Sequence, residues 1–429
     1  MSIPASHPLR VELNDEVHAR PPEALAPPCR ISHLALIPPE GAPRGQALAA
    51  VQDLARRYGA PAPEAGAAHY SADLGPFRIK WERHTEFSRF MVIVRGVAAD
   101  PFATTAFNVL PPDWVESLPG HVIAAQHVAL VPDDGAPLDL AALAARYFAG
   151  NHLLGAEVSG GRATAITDFR IQADGFSRFL LLDRGTGERQ AGRIVQRLIE
   201  IDTYRVMALL AFPLARELSP LLAAHERELA AVADALIGCG EDDEPGLLDR
   251  LTRLAAEIES GEARNRYRFS AAAAYYEIVQ RRIEDLREGR IEGMQTVREF
   301  TERRLAPAMN TCLAMAQRQE MLSQRVARAT QLLSTRVDLT RERQNQALLA
   351  SMDRRARQQL RLQQTVEGLS VAAIPYYVVG LIAYAAKAVS DTRLPLRDAV
   401  VTGIAVPVVA VLVWFATRRV RRRMEREDS

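Results

Sequence analysis

Two long uncharged apolar runs near the C-terminal end constrain this chain more than any other feature. The first extends from Gly368 to Ala386, between Glu367 and Lys387, and the second from Ala399 to Thr417, between Asp398 and Arg418. A helix needs about 20 residues, at about 1.5 Å rise each, to cross the hydrocarbon core of a bilayer. The pair therefore predicts two transmembrane helices, about 367–388 and 399–417, joined by a short polar loop. Everything else in the chain is expected to be attached to this hairpin from one side.

The flanking charges predict its orientation. Arg354, Arg355, Arg357 and Arg361 precede the first run, and Arg418, Arg419, Arg421, Arg422, Arg423 and Arg426 follow the second. The loop Ser390–Asp398 sets Arg393 and Arg397 against Asp391 and Asp398. Cytoplasmic flanks carry the excess of Lys and Arg, so both termini are expected in the cytoplasm and the basic tail, 418–429, beside anionic headgroups of the lipid bilayer. Neither run contains Asp, Glu, Lys, Arg or His, the usual marks of ion paths and proton relays inside a membrane. Gly380, Ala383, Ala385 and Ala386 suit close helix packing, so anchoring and self-association are the simpler expectation.

The remainder reads as soluble, with 24% charged residues and a net charge of +1. That balance offers no single-sign patch for nucleic acid. Cys29, Cys239 and Cys312 form no CxxC pair, which argues against a disulfide framework or a zinc site. No cofactor or metal is expected. Residues 1–30 contain no apolar core of a secretory leader, so the bulk of the chain is expected to stay in the cytoplasm. Prolines at 21, 22, 27 and 28 forbid a long helix there. His7, Asp15, Glu16 and His18 are metal-ligand and acid–base residue types, but no periodic element fixes them; an extended docking arm is expected.

The region that follows is duplicated. His33-Leu-Ala-Leu-Ile-Pro-Pro-Glu-Gly-Ala-Pro43 corresponds to His127-Val-Ala-Leu-Val-Pro-Asp-Asp-Gly-Ala-Pro137, Leu54-Ala-Arg-Arg-Tyr58 to Leu143-Ala-Ala-Arg-Tyr147, and Phe87-Ser-Arg-Phe90 to Phe176-Ser-Arg-Phe179. Matched blocks in one order mark two copies, about 31–96 and 122–185, within a domain at 31–187. Each copy reads as an apolar β-rich run (Ile31–Ile37; Val122–Val131), a Pro/Gly turn, a short helix (about 46–58; about 138–149) and two or three closing strands. Phe77–Arg83 pairs with Phe87–Val94 as a hairpin, and Ala163–Ile171 with Phe176–Asp183. Alternation puts Phe77, Ile79 and Trp81 on one face and Arg78, Lys80 and Glu82 on the other. Two small α/β units related by a pseudo-twofold axis are expected, sharing a sheet or packed face to face.

The repeated arginines, Arg89 and Arg178, are the candidate anion or interaction residues. The simpler expectation is that each caps a strand or pairs with an acid of the chain. His33 and His127 each open an apolar strand with no second ligand nearby, as structural histidines do. Gly160-Gly161 opens no helix and is no phosphate loop.

Residues 188–366 read as a helical stalk. One helix, about 188–237, carries Ile194, Leu198, Ile201, Val206, Leu209 and Leu210, and Pro213 and Pro220 are expected to kink or break it. Others cover about 246–260, ending at Ser260-Gly261, and about 264–305. A last helix from about residue 308 has no breaker before the first apolar run, and to residue 390 it would span about 120 Å. Such a helix needs partners along Leu322, Val326, Leu332, Leu333, Val337, Leu339, Leu348 and Leu349, either preceding helices or copies of itself.

Four stretches are similar to a bacterial family of uncharacterised membrane-anchored proteins, known by a domain of unknown function: LNDEVHARP from Leu13, IDTYRVMALLAFP from Ile201, YRFSAAAAYYEIVQRRI from Tyr267, and LLASMDRRARQQLRLQQTVEGLSVAAIPYYVVGL from Leu348. The resemblance covers nearly the whole chain and implies the bacterial inner membrane, with no known activity. The architecture also resembles the CorA-type magnesium transporter superfamily, whose mark is Gly-Met-Asn at the outer end of the first span. Here that end reads Tyr384-Ala-Ala-Lys387-Ala-Val-Ser390 and the loop is neutral. That resemblance implies a pore lined by the first span, with Gln363, Gln364, Thr365 and Glu367 at its cytoplasmic mouth and a small ion as cargo.

The reading is an α+β chain: a duplicated α/β domain, a helical stalk and a C-terminal transmembrane hairpin. The expected function is a non-enzymatic, homo-oligomeric inner-membrane protein with a cytosolic sensing or interaction domain. Its expected partners are lipid and further copies of itself, through the stalk and first span.

Overall fold

A single eight-stranded sheet organises the N-terminal half. The computed structural model describes residues 6–11, 13–14, 21–43, 45–390 and 398–427. At the centre β1 (Cys29–Ile37) and β5 (His121–Pro132) pair antiparallel. Outward from β1 lie β4 (Ser88–Arg95), β3 (Arg78–Arg83) and β2 (His69–Asp73). Outward from β5 lie β8 (Ser177–Asp183), β7 (Ala163–Thr167) and β6 (Leu154–Val158). Both hairpins expected from alternation are present, as β3–β4 and β7–β8.

The two copies share this sheet, but no twofold axis relates them. β4 runs antiparallel to β1, whereas β8 runs parallel to β5. The helix in the second copy makes a crossover between parallel strands; in the first it does not. Equivalent residues therefore point to opposite faces. His33 faces Gln126 and His127 faces Ser32, at adjacent register positions, and successive side chains leave a strand on opposite sides.

One face packs under α1 (Gln46–Arg57) and α2 (Pro112–Glu116), where Leu48, Val51 and Leu54 meet Leu34, Ile79, Trp81, Phe90 and Trp114. Further along, α3 (Leu140–Tyr147) helps close a second cluster around Phe148, Ile166 and Leu180. The other face is covered by α4 (Glu188–Leu209), which contacts β5 and β8. Chain ahead of β1 lies against α4: Leu25 N–H donates to the Glu188 carbonyl at 3.0 Å. A side chain at Gly192 would begin 1.7 Å from the Glu23 carbonyl oxygen, so only glycine admits this strand of chain.

The helices differ from expectation in three places. The break near Pro213 falls at Leu210, and Pro213 lies in the first turn of α5 (Ala211–Gly238), where its missing N–H has no intrahelical partner to lose; Pro220 lies inside α5 without ending it. α6 (Glu244–Leu286) passes through Ser260-Gly261 unbroken, because neighbouring helices pack there and outweigh the roughly 1 kcal/mol weakness of a helical glycine. The helix expected over about 264–305 stops at Leu286. Residues 287–296 leave it through left-handed backbone at Arg287 and Gly293, and Glu157 of β6 exchanges both backbone hydrogen bonds with Gly289. This covers an edge strand that would otherwise present open donors and acceptors. α7 (Val297–Arg304) then starts with a Thr296–Glu299 capping box, followed by α8 (Ala306–Ser390) and α9 (Asp398–Glu427).

By its contacts the chain divides into two compact units, Met1–Gly238 with Gly246–Thr330, and Cys239–Pro245 with Gln331–Ser429. The first unit combines the sheet with α4, α5, most of α6, α7 and the start of α8. Two described helical stretches are apolar and long enough to cross a membrane by length and composition. One, Glu188–Gly238, has a third of its apolar window buried; the other, Val297–Ala385, has none of it buried. The apolar part described in α9 is shorter, Gly403–Ala416. The connecting loop expected at 391–397 lies outside the described residues.

Candidate functional site

Alternation gives β3 and β4 a second face of Lys80, Glu82 and Arg89, and that face is buried. It lies under α4, where Glu200, Asp202 and Thr203 are buried together with the apolar stripe. Glu82 and Arg89 oppose each other across the β3–β4 ladder. Arg89 Nε donates to Glu82 Oε2, and Arg89 Nη1 lies 3.4 Å from Glu200 Oε1. Lys80 Nζ sits 3.0 Å from Glu82 Oε1 and donates to the Pro21 carbonyl at 2.6 Å. Glu200 also accepts from Gln196 Nε2 at 2.7 Å and from Arg282 Nε at 2.5 Å. A chain of alternating charge thus joins the N-terminal arm, the sheet, α4 and α6.

A second branch centres on Asp202, which accepts from Gln126 Nε2 and Ser177 Oγ, both at 2.8 Å, and from Arg205 Nη2 at 2.5 Å. Gln126 Oε1 lies 2.6 Å from His33 Nδ1. An amide oxygen only accepts, so the network assigns the proton to Nδ1 and leaves Nε2 a bare lone pair. That nitrogen is buried without a partner.

Burial sets the charge states. It pushes the His33 pKa down to about 3, with the Arg89 charge adding to the effect. On the opposite face His127 stacks on Phe176 at 3.9 Å and meets Ser32 Oγ at 2.8 Å; burial pushes it down to about 4. For Glu82, burial opposes ionisation, but His84, Arg89 and Lys80 outweigh it and hold the carboxyl well below the usual carboxylate range. Burial likewise opposes the Arg89 charge, and Glu82 and Glu200 more than offset it. A buried ion-pair network contributes little net stability, yet losing one member costs about 3–5 kcal/mol because the rest stay buried and unpaired.

The repeated arginines do not converge. The hydrogen-bonding edge of Arg89 is taken up by two carboxylates of the chain. Arg178 leaves the sheet on the opposite face, donates from Nη1 to the Tyr147 carbonyl at 2.9 Å, lies 3.3 Å from Asp174 Oδ2 and covers the Phe102 ring. Both have the paired role. Gln363, Gln364, Thr365 and Glu367 are exposed on α8. Arg354, Arg355, Arg418 and Arg419 are exposed too, Arg418 over the Trp414 ring at 4.9 Å. The side chains of Arg421, Arg422 and Arg423, and all of Asp15, Glu16 and His18, lie outside the described residues. Among the described residues, no group of three or more His, Cys, Asp or Glu side chains is placed to hold a metal ion. Sequence reasoning missed Glu200 and Asp202. The available signal was two acids beside Ile201, within the apolar stripe Ile194–Leu198–Ile201.

The long ordered match along the chain decides its family. Residues 5–424 match the family described as protein of unknown function (DUF3422). The chain belongs to that family. The DUF3422 match holds every residue of the buried network and both apolar segments. No curated protein matches the chain.

Proposed function

We propose that this protein is a membrane-anchored, self-associating protein without catalytic activity of its own, and that its sheet-bearing unit is a cytoplasmic sensing or interaction module. The observation that carries this reading is the exposed apolar surface of the last two helices: Leu369, Tyr376, Leu381 and Tyr384 on α8, and Ile404, Leu412, Trp414 and Phe415 on α9. A contiguous surface of this kind calls for lipid or protein cover. Arginines at both flanks support a bacterial inner-membrane location with both termini cytoplasmic. The exposed Leu348, Leu349, Met352, Leu360, Leu362 and Val366 on α8 support self-association. The test is alkaline carbonate extraction of bacterial membranes holding the full chain, followed by mass measurement in nanodiscs. Retention in the membrane with a mass of several copies is expected. Release as a monomer would refute the reading.

A divergent CorA-like channel is the second reading. One observation favours it: α8 continues unbroken from Gln363, Gln364, Thr365 and Glu367 into the apolar segment. Ion flux through liposomes is its test, and a dimer or monomer in nanodiscs counts against it.

A further inference from the structure

The two edges of the sheet are finished differently. β6 at one end exchanges backbone hydrogen bonds with Gly289. β2 lies at the other end, beside β3, in antiparallel register from His69↔Glu82 to Asp73↔Arg78. The bonds that bracket this ladder fix its phase. Arg83 N–H donates to the Ala68 carbonyl at 2.7 Å, and Leu74 N–H to the Phe77 carbonyl at 2.9 Å. Opposed residues of an antiparallel pair alternate between those that exchange both bonds and those that exchange neither. Ala68, Tyr70, Ala72 and Leu74 therefore bond towards β3, and His69, Ser71 and Asp73 turn their N–H and carbonyl groups away from the sheet. These three residues are exposed, and among the described residues no backbone bond reaches those groups.

An edge of this kind invites a further strand, and chains commonly blunt it with charged side chains. Here the side chains favour one strand in particular, a second β2. An antiparallel pairing centred on Ser71 sets Ser71 against its counterpart, and His69 of each copy against Asp73 of the other. Every outward N–H and carbonyl of the three residues then finds a partner. Opposed side chains lie on the same face, so an imidazole meets a carboxylate at each end, and opposite-charge pairs across strands are favourable whereas like charges are not. Asp73 is open to such a partner. Its Oδ1 accepts the Gly75 N–H at 2.9 Å, and Arg78, opposite it on β3, donates to Glu23 at 2.8 Å. The Ser71 hydroxyl is turned onto the face of the sheet, where it donates to Glu23 at 2.7 Å.

We propose that β2 pairs with β2 of a second copy about a twofold axis at Ser71, joining two sheets into one. The inference rests on the self-association reading and gives it a surface. A strand of five residues is short for a stable dimer in free solution, where interfaces bury about 1,200–2,000 Å². A shared membrane supplies the effective concentration that the pairing needs.

The experiment is oxidative cross-linking of the full chain in liposomes, with Cys239 replaced by Ser; Cys29 and Cys312 are buried. Bonded opposite residues have Cα atoms about 5.5 Å apart, within disulfide range, so Ser71→Cys alone should give a covalent dimer. His69→Cys and Asp73→Cys should each give about tenfold less when alone, because like positions stand about 14 Å apart, and should give the dimer when mixed. With Ser71→Cys as reporter, His69→Asp sets acid against acid and should lower the yield about tenfold; adding Asp73→His should restore it. Both positions are exposed, and an unchanged circular dichroism melt checks the fold. No dimer from Ser71→Cys, equal yields from His69→Cys alone and the mixture, or no rescue by the swap overturns the proposal; an edge held by any other occupant gives the first of these results. A mass of several copies in nanodiscs without the Ser71→Cys cross-link refutes this surface alone, whereas a monomer mass refutes the self-association reading with it.

Discussion

The first unit buries charges that a chain normally leaves in water, and the second exposes apolar side chains that a chain normally buries. Glu82 and Arg89 lie inside the first, paired with each other and with Glu200 and Arg282. Leu381, Tyr384, Leu412 and Phe415 stand exposed on the second. The difference teaches what each region needs from outside. The first unit pairs its buried charges Glu82, Arg89 and Glu200 within its own chain, although single buried atoms such as His33 Nε2 and the Thr203 hydroxyl have no hydrogen-bond partner. The second leaves its apolar surface uncovered, and on the proposed reading the covering comes from lipid and from other copies of the chain.

Breaking each region shows how far the contrast extends. The largest effect is expected from Ile374→Arg combined with Leu381→Arg. Each arginine costs about 2.5–3.5 kcal/mol at mid-membrane, so carbonate extraction should release the doubly substituted chain while its sheet-bearing unit stays folded by circular dichroism. Next comes Glu200→Ala, which leaves Arg89 and Arg282 short of a carboxylate and should cost about 3–5 kcal/mol in denaturant unfolding. Replacing Lys80, Arg89 and Arg282 with Met and Glu82 and Glu200 with Gln together should cost less than Glu200→Ala alone, because each charged member of the network is then neutral.

Acid should act on the first unit through its buried histidines. The folded pKa values of His33 and His127 are pushed down from 6.5 to about 3 and about 4, so below pH 6.5 the unfolded chain binds more protons. Their contribution is full above that pH and is lost as pH falls, on the order of 2 kcal/mol for each histidine by about pH 5. Glu82, also depressed, contributes above its unfolded value and loses that contribution at still lower pH. Melting of His33→Gln/His127→Gln should show a flattened limb between pH 6.5 and 5. The smallest effect belongs to the exposed helix pair Arg253–Asp249, where Asp249→Asn should shift stability by about 0.3–0.5 kcal/mol.

Local pattern announced much of this fold, and long-range pairing supplied the rest. The β3–β4 and β7–β8 hairpins followed from alternation and turn residues, both properties of neighbouring positions. The edge strand β2, His69–Asp73, carries no apolar run and left no such trace. The matched Phe-Ser-Arg-Phe blocks fall at the starts of β4 and β8. They could not show that β4 and β8 run oppositely relative to their central strands, and this separates Arg89 from Arg178. Alternation put Arg78, Lys80 and Glu82 on one face, but a period of two does not say what covers that face. Lys80 and Glu82 are buried because α4 returns over them from more than a hundred residues away with Glu200. Pairing at that distance has no local signal.

The most direct measurement of the contrast uses the protein's own tryptophans. The chain has three: Trp81 and Trp114 are buried in the first unit, and Trp414 is exposed on α9. In liposomes with brominated acyl chains, part of the wild-type emission should be quenched, and Trp414→Phe should abolish that quenching while leaving the remaining emission unchanged. Absence of quenching in the wild type, or equal quenching after Trp414→Phe, would contradict the account.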